Sequence, residues 1–231
     1  MNILQPDRLS DEVTCPYIPG NRCRYRYFFA TDVTADELEH LLATGWRKFG
    51  PYYFMPECGE CRECVPVRVL ARDFSPSKNQ RKTLAKARSI ETRFEPLAFS
   101  EEIFDIYCDH SINRFGSDPS LDDFLHNFYY PSCPALQSEY RLGDSLIAAG
   151  FIDQSSRGLS SVYFIYRTAY GRYSLGSVSA IREIEHAREL GLDYYYLGYH
   201  VARNHFMAYK DRFRPYERFD WEKKQWAQPE G

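Results

Sequence analysis

The chain has 231 residues, of which 44% are apolar and 16% aromatic, so it can build an ordinary buried core. A formal charge of -3 and a pI of about 6.1 exclude a general nucleic-acid coat protein, although they allow a local basic patch. The sequence has neither a secretory leader nor an apolar run of about eighteen residues, so we expect a cytoplasmic protein without membrane association. Seven cysteines, three of them closely spaced, favour reduced thiols over a disulfide framework.

The first part of the chain predicts a small α+β unit. Aromatic residues from Arg24 to Phe29 predict a strand, and the capping box of Thr34 to Glu37 begins a short helix. Trp46 to Met55 predicts a strand interrupted at Gly50. Alternating valines from Val65 to Val69 predict the next strand. The cysteine cluster therefore lies in a turn between two strands.

A basic segment with helical character follows, from Ser77 to Arg88. It contains no acidic residue and five basic ones, namely Lys78, Arg81, Lys82, Lys86 and Arg88. Such a segment is often only a solvated helix face, but it also suits contact with a polyanion. The sequence leaves both interpretations open.

The second part of the chain has a clearer plan. Caps at Ser100 and Ser120 predict two peripheral helices. The following elements are, in order, a hairpin (140–152), a strand (161–166), a glycine-punctuated loop (170–176), a helix ending at 191 and a strand (194–198). This order is typical of an N-acetyltransferase-like fold. We expect a mixed α+β protein with a smaller N-terminal domain at 1–95 and an N-acetyltransferase-like domain at 96–231.

Three thiols are spaced three residues apart in the turn, at Cys58, Cys61 and Cys64. A closed tetrahedral zinc site needs a fourth ligand, which Cys15 or Cys23 could supply. The spacing also resembles an iron–sulfur motif, but the C-x-x-x-C-P element of ferredoxins is missing. Zinc, an iron–sulfur cluster and reduced thiols all remain open. We expect a structural or regulatory site in which Cys15 completes the set, rather than the catalytic centre.

Several blocks of sequence resemble bacterial arginyl-tRNA–protein transferase-like enzymes, and among them most closely the aspartate/glutamate leucyltransferases. In chain order these blocks are Cys15–Gly20, Cys58–Arg68, Phe74–Arg81, Ser174–Gly176, Tyr196–Tyr199 and Met207–Lys210. The resemblance implies transfer of an aminoacyl group, leucyl or arginyl, from charged tRNA to a protein that begins with Asp or Glu. It further implies that the product is marked for degradation.

Aminoacyl transfer from an activated ester needs few groups and no cofactor. Asp153, at the end of a central strand, is the candidate for orienting the attacking amine, although a turn-forming Asp explains it equally well. Backbone N–H groups following Ser174 and Gly176 are suited to stabilise negative charge on the ester carbonyl. Three tyrosines could stack or bond the terminal adenosine of the tRNA, or simply pack in the core: Tyr163, Tyr196 and Tyr199.

The acidic acceptor requires a positive partner, because an unpaired buried carboxylate is strongly disfavoured. Arg22 and Lys210 are the candidates, and we also assign Lys210 to the catalytic set. Arg81 and Lys82 are expected to contact tRNA phosphates. The expected partners are aminoacyl-tRNA and an acceptor protein, bound by a monomer. An acyl-CoA-dependent N-acetyltransferase is an alternative, but the loop from Arg167 to Tyr173 lacks the glycine spacing of its pyrophosphate site.

Overall fold

The computed structural model describes residues 1–229. Within that range the strands are β1 Asn2–Leu9, β2 Val13–Thr14, β3 Arg22–Cys23, β4 Tyr25–Thr31, β5 Arg47–Phe49, β6 Tyr52–Pro56, β7 Val65–Leu70, β8 Ile90–Pro96, β9 Ala135–Leu142, β10 Ser145–Gln154, β11 Gly158–Tyr166, β12 Tyr194–His200, β13 Tyr216–Asp220 and β14 Gln225–Ala227. The helices are α1 Ala35–Ala43, α2 Lys78–Lys86, α3 Glu101–Phe115, α4 Leu121–Phe128 and α5 Leu175–Glu189, with 3₁₀ helices at Thr168–Tyr173 and Ala208–Arg212. The mixed α+β class is confirmed.

Of the five α-helices in the described residues, α1 to α4 begin at side-chain caps. Thr34 and Glu37 form the expected capping box at α1, and Ser77 does the same with Gln80 at α2. Ser100 accepts a hydrogen bond from the third residue of α3, and α4 begins in the same way at Ser120. Each cap satisfies a backbone N–H that the helix itself cannot, which is worth about 1 kcal/mol. All four helix starts in the sequence prediction are confirmed.

Two main sheets organise the chain. The smaller has the order β1-β4-β6-β5, and the larger has the order β14-β13-β7-β12-β11-β10-β9-β8. The short strands β2 and β3 pair separately. The large sheet takes β7 and β8 from the first part of the chain, with β7 between β12 and β13. The predicted domain boundary at residue 95 therefore does not separate the sheets.

Helices cover both faces of the large sheet. Leu146 packs with α3 and α4, whereas its neighbour Ile147 packs with the start of α5. Consecutive side chains of a strand point to opposite faces, so the sheet is buried on both sides here. No helix of residues 1–229 combines the length and apolar character needed to cross a bilayer.

The large sheet opens between β11 and β12, its parallel neighbours. These strands pair only where 158–160 lies beside 194–196. Beyond that point β11 continues along β10 and β12 continues along β7. The two strands therefore diverge, which leaves a gap inside the sheet.

Candidate active site

A cavity of about 720 Å³ lies where β11 and β12 diverge. Its walls come from β5, β11, β12, the start of α5 and the second 3₁₀ helix, and the end of α3 contributes to the rim. This volume is within the usual range for small-molecule sites, roughly 300–1,000 Å³. The cavity can therefore enclose the reacting ends of two substrates.

The lining of this cavity is electropositive. It contains the cations Arg47, Lys48, Arg114 and Lys210, and Asp153 is the one carboxylate among the lining residues of the described chain. The only lining histidine, His110, stays neutral near pH 7, because burial lowers its pKa to about 4. The site therefore suits an anionic ligand.

Asp153 forms a buried ion pair with Lys48. Lys48 Nζ lies 3.0 Å from Asp153 Oδ1, and the Cys133 thiol donates to the same oxygen at 3.4 Å. Burial is the largest single effect and lowers the pKa of Lys48, but Asp153 and Cys133 together outweigh it and the net pKa is raised. Asp153 thus lies in the cavity wall, with its charge already matched.

Arg47, the residue before Lys48, lacks such a partner. Its side chain is buried, with 7% of its surface exposed, and Nη1 donates to Ser160 Oγ at 3.4 Å. Nε and Nη2 have no hydrogen-bond partner within residues 1–229. The guanidinium carbon lies 5.3 Å from the ring centre of Tyr196, which gives partial cation–π compensation. An arginine stays protonated even when buried, so two nitrogens of a charged guanidinium lack a hydrogen-bond partner among the described residues.

Lys210 is a second buried cation close to Arg47. Its Nζ donates to the Tyr199 carbonyl at 2.9 Å, and burial, together with the charge of Arg47, lowers its pKa to about 7. Gly198 lies between the two cations with φ +85°. A Cβ at Gly198 would lie 3.3 Å from Lys210 Nζ and 4.0 Å from Arg47 Nε. The missing side chain leaves this point open.

The N-terminus of α5 forms another part of the wall. Ser174 has φ +54° and makes no side-chain cap, and the first turn carries no acidic residue. A Cβ at Gly176 would meet nothing within 4 Å. Residues 174–177 line the cavity, so backbone N–H groups that the first turn leaves free would suit a developing negative charge there. Ser174 and Gly176 both line the cavity, and their contact with substrate stays a prediction.

The three predicted tyrosines are placed differently. Tyr163 lines the cavity and stacks on Phe128 at 5.3 Å, and Tyr199 lines it while its hydroxyl donates to Gly45 O at 2.9 Å. Tyr196 is not a lining residue, because it points to the other face of β12, where its hydroxyl donates to Glu39 at 2.7 Å. Its ring supports Arg47 rather than a substrate.

The other predicted substrate contacts lie outside the cavity. Arg22 is exposed on β3, and its guanidinium donates to the Glu12 carbonyl. Arg81 and Lys82 are exposed on α2. This helix adjoins the cavity wall, because Gln80 Nε2 donates at 3.2 Å to the carbonyl of the last residue of the 3₁₀ helix that carries Lys210.

The predicted metal ligands lie near one another and near the cavity. Burial, followed by the charges of four neighbouring thiols, raises the pKa of Cys64 to about 12; these thiols are Cys58, Cys15, Cys61 and Cys23. All seven cysteines are free. This soft donor set fits zinc or an iron–sulfur cluster, but residues 1–229 contain no group of three ligand side chains arranged around a metal position. A metal or cluster here stays a prediction.

Sequence reasoning missed Arg47, Lys48, His110 and Gly198. The adjacent charges Arg47 and Lys48, between Trp46 and Phe49, are a partial signal of buried charge. Neighbouring side chains of a strand point to opposite faces, so the two charges cannot both face solvent if the strand is covered on both sides. Nothing local identifies their partners, which come from β10, β11 and β12.

Comparisons with known proteins identify the family of this chain. Models for the N and C termini of arginine-tRNA-protein transferase match residues 13–82 and 100–220. The aspartate/glutamate leucyltransferase of Thiobacillus denitrificans is 32% identical over 216 residues, which cover 90% of this chain and 88% of the relative. The enzyme of the same name from Rhodopseudomonas palustris is 36% identical over 220 residues, covering 88% and 85%.

Solved structures overlap this one only partly. FemX has a TM-score of 0.45 at 10% identity and covers 70% of this chain and 59% of its own, so it carries no weight here. The two family models together account for most of the chain. The chain belongs to the arginine-tRNA-protein transferase family of enzymes.

Proposed function

We propose that this enzyme transfers the leucyl group of leucyl-tRNA to the α-amino group of proteins that begin with Asp or Glu, and so marks them for degradation. The observation that carries the proposal is the electropositive cavity, whose described lining includes Arg47, Lys48 and Lys210 but only one carboxylate, that of Asp153. The names of the relatives support the same substrates. The order β10, β11, α5, β12 and the divergence of the strands support an N-acetyltransferase-like core.

The reaction forms one bond and breaks one. The acceptor nitrogen adds to the ester carbonyl, the C–O bond to the tRNA ribose breaks, and a proton moves from the nitrogen to the departing ribose oxygen. An α-amino group has a pKa of about 7.7–8.0, so a useful fraction is already neutral at pH 7. The enzyme must therefore mainly align the reactants, which is worth several kcal/mol.

The residues of the cavity suit these steps. Backbone N–H groups at the start of α5 would donate to the carbonyl oxygen as it becomes negative. Asp153, held by Lys48, would accept a hydrogen bond from the incoming amine. Tyr163 presents a half-buried ring on which the terminal adenine could stack, a contact worth about 1–3 kcal/mol. None of these steps uses the cysteines.

The charge of the cavity favours leucyl over arginyl transfer. A transferred arginine would bring a guanidinium into a site whose single lining carboxylate is paired with Lys48. A leucine side chain would meet apolar surface, such as Phe49 and Leu197, without that cost. The runner-up, arginyl transfer, shares the acceptor and differs only here.

The tRNA would approach along α2. This helix carries four exposed cations in its last turns and just beyond them, namely Arg81, Lys82, Lys86 and Arg88, and no ion pair of the described residues engages any of them. Because α2 adjoins the 3₁₀ helix of the cavity wall, phosphates bound there would guide the charged 3′ end inward.

A transfer assay that crosses charged tRNAs with peptides tests the proposal. Purified enzyme is given leucyl-, arginyl- or phenylalanyl-tRNA together with peptides that begin with Asp, Glu, Asn or Lys. We expect transfer only from leucyl-tRNA and only to Asp and Glu. Transfer from arginyl-tRNA at an equal rate would replace the leucyl assignment, and absence of transfer from every charged tRNA would overturn the function.

A further inference from the structure

Arg47 and Lys210 converge on the open point beside Gly198. A Cβ built on Gly198 would lie 3.3 Å from Lys210 Nζ and 4.0 Å from Arg47 Nε, so both cations lie close to this bare stretch of backbone. Neither residue belongs to an ion pair of residues 1–229, whereas Lys48, next in the chain, does. A buried cation without a counter-charge is costly, so a lasting pair of them indicates an anionic ligand.

The free atoms of Arg47 define the shape of that ligand. Nε and Nη2 lie along one edge of the planar guanidinium, and their N–H bonds run nearly parallel. This edge matches the two oxygens of a carboxylate, which it binds through two hydrogen bonds. Nη1, at the other edge, is the atom that already donates to Ser160. The unsatisfied edge is therefore the one that a carboxylate needs.

We infer that Arg47 and Lys210 together bind the side-chain carboxylate of the acceptor's first residue, with Gly198 keeping the space between them open. This inference rests on the proposed function and names the residues that read its substrate. The alternative anion, a tRNA phosphate, is disfavoured because Arg47 is buried, with only 7% of its surface exposed. Exposed cations on α2 are available for phosphates instead.

The inference corrects one expectation from the sequence and extends another. Lys210 keeps its assigned role, now with a carbonyl contact that fixes its position. Arg22 is replaced by Arg47, since Arg22 is exposed and bonded to Glu12. Arg47 thereby becomes a determinant of acceptor specificity.

The test compares Arg47→Met with the native enzyme on peptides that begin with Asp, Glu, Asn and Gln, with leucyl-tRNA as donor. A site built to pair a carboxylate should reject the neutral amides, and we expect the native enzyme to prefer Asp over Asn by at least about 100-fold in kcat/KM. Arg47→Met should lose most of this preference by slowing only the acidic peptides. Arg47→Lys, which keeps the charge but not the paired edge, should fall between them.

Arg68→Met is the matched control. Arg68 is also a buried arginine, 8% exposed, but it pairs with Glu217 at 2.7 Å and does not line the cavity. We expect Arg68→Met to lower the melting temperature and leave the Asp/Asn ratio unchanged. Arg47→Met should change the ratio without lowering the melting temperature, because it removes an unpaired charge.

Several outcomes would overturn the inference. If Arg47→Met raises KM for leucyl-tRNA and keeps the Asp/Asn ratio, the ligand is a phosphate. If it lowers the melting temperature and slows all peptides alike, Arg47 is structural. If Arg47→Met does not fold, the Asp/Asn ratio of Arg47→Lys is the test instead. Native enzyme that transfers no leucyl group, yet binds Asp peptides far better than Asn peptides, would refute the proposed function while supporting this inference.

Discussion

Arg47 and Lys48 are adjacent on one strand, equally buried, and opposite in their surroundings. Lys48 lies 3.0 Å from the Asp153 carboxylate, and its pKa is raised. Nε and Nη2 of Arg47 have no hydrogen-bond partner among residues 1–229, and burial lowers the pKa of this arginine. The first charge is matched by the fold and the second is not.

Within one cavity wall, the contrast distinguishes a residue that stabilises the fold from a residue that recognises the substrate. A matched buried pair holds its members in place and costs several kcal/mol to break. An unmatched buried cation destabilises the fold and keeps its interaction free energy for a ligand. On this account Lys48 stabilises the site and Arg47 selects the substrate, so variants of the two should differ in kind as well as in size.

Lys48→Met should have the largest effect. It leaves the Asp153 carboxylate buried without a counter-charge, and we expect the free energy of unfolding to fall by about 3–5 kcal/mol. Denaturant unfolding checks this, with Arg47→Met as the control that should lose little or nothing. Equal losses in the two variants would break the comparison.

Gly198→Ala should affect recognition next most strongly. The new Cβ would occupy the space between Lys210 and Arg47, and the residue would have to keep φ +85°. We expect kcat/KM for Asp peptides to fall roughly 10- to 100-fold, with a much smaller change for Asn peptides. Gly116→Ala is the control, because it has φ +63° but open space around its Cβ. A parallel loss for both peptides would assign the effect to backbone strain alone.

The preference for acidic peptides should depend on pH through Lys210. Its pKa is lowered to about 7, so it is charged below pH 7 and loses its charge above. The ratio of kcat/KM for Asp over Asn peptides should therefore fall about tenfold or less between pH 6 and pH 8, while the titration of the α-amine cancels in the ratio. Lys210→Arg should keep the ratio flat to higher pH. A native ratio that rises with pH would contradict the assignment.

Charge reversal on α2 should have the smallest effect and should spare the acceptor. The Arg81→Glu/Lys82→Glu variant should raise KM for leucyl-tRNA several-fold and weaken its salt dependence, because two phosphate contacts are lost. KM for the peptide should not change. Reversal of Arg26, an exposed cation that pairs with Asp7 at 3.3 Å, is the control and should leave both KM values near native. Equal tRNA dependence in all three proteins would return α2 to a solvated helix face.

Much of the fold could be predicted because its signals are local. Caps at Thr34 and Ser100 depend on neighbouring residues, and so do the hairpin turn at Gly143 and the end of α5 near Gly191. The division into sheets could not be predicted, because β7 joins the large sheet through pairing with strands more than a hundred residues away. Strands such as β1 and β14 carry no apolar alternation that would mark them.

The site divides in the same way. Asp153, Lys210 and the start of α5 lie in segments whose role the sequence indicates. Arg47 can be assigned a role only from its position beside Gly198 and Lys210, which are distant in sequence. The position of Tyr196 follows only once the structure shows which side of β12 lines the cavity. Side chains alternate along a strand, so Tyr195 and Leu197 on the cavity side imply that Tyr196 lies on the other side.

Equilibrium binding of acceptor peptides without tRNA tests the central claim most directly. Titration calorimetry near pH 6.5, where Lys210 is charged, would compare peptides that differ only in Asp or Asn at the first position. We predict that the native enzyme binds the Asp peptide about 100-fold more tightly. Arg47→Met should bind the two nearly equally, and Lys48→Met, where folded, should keep the preference. Equal Kd values for the two peptides in the native enzyme would contradict the account.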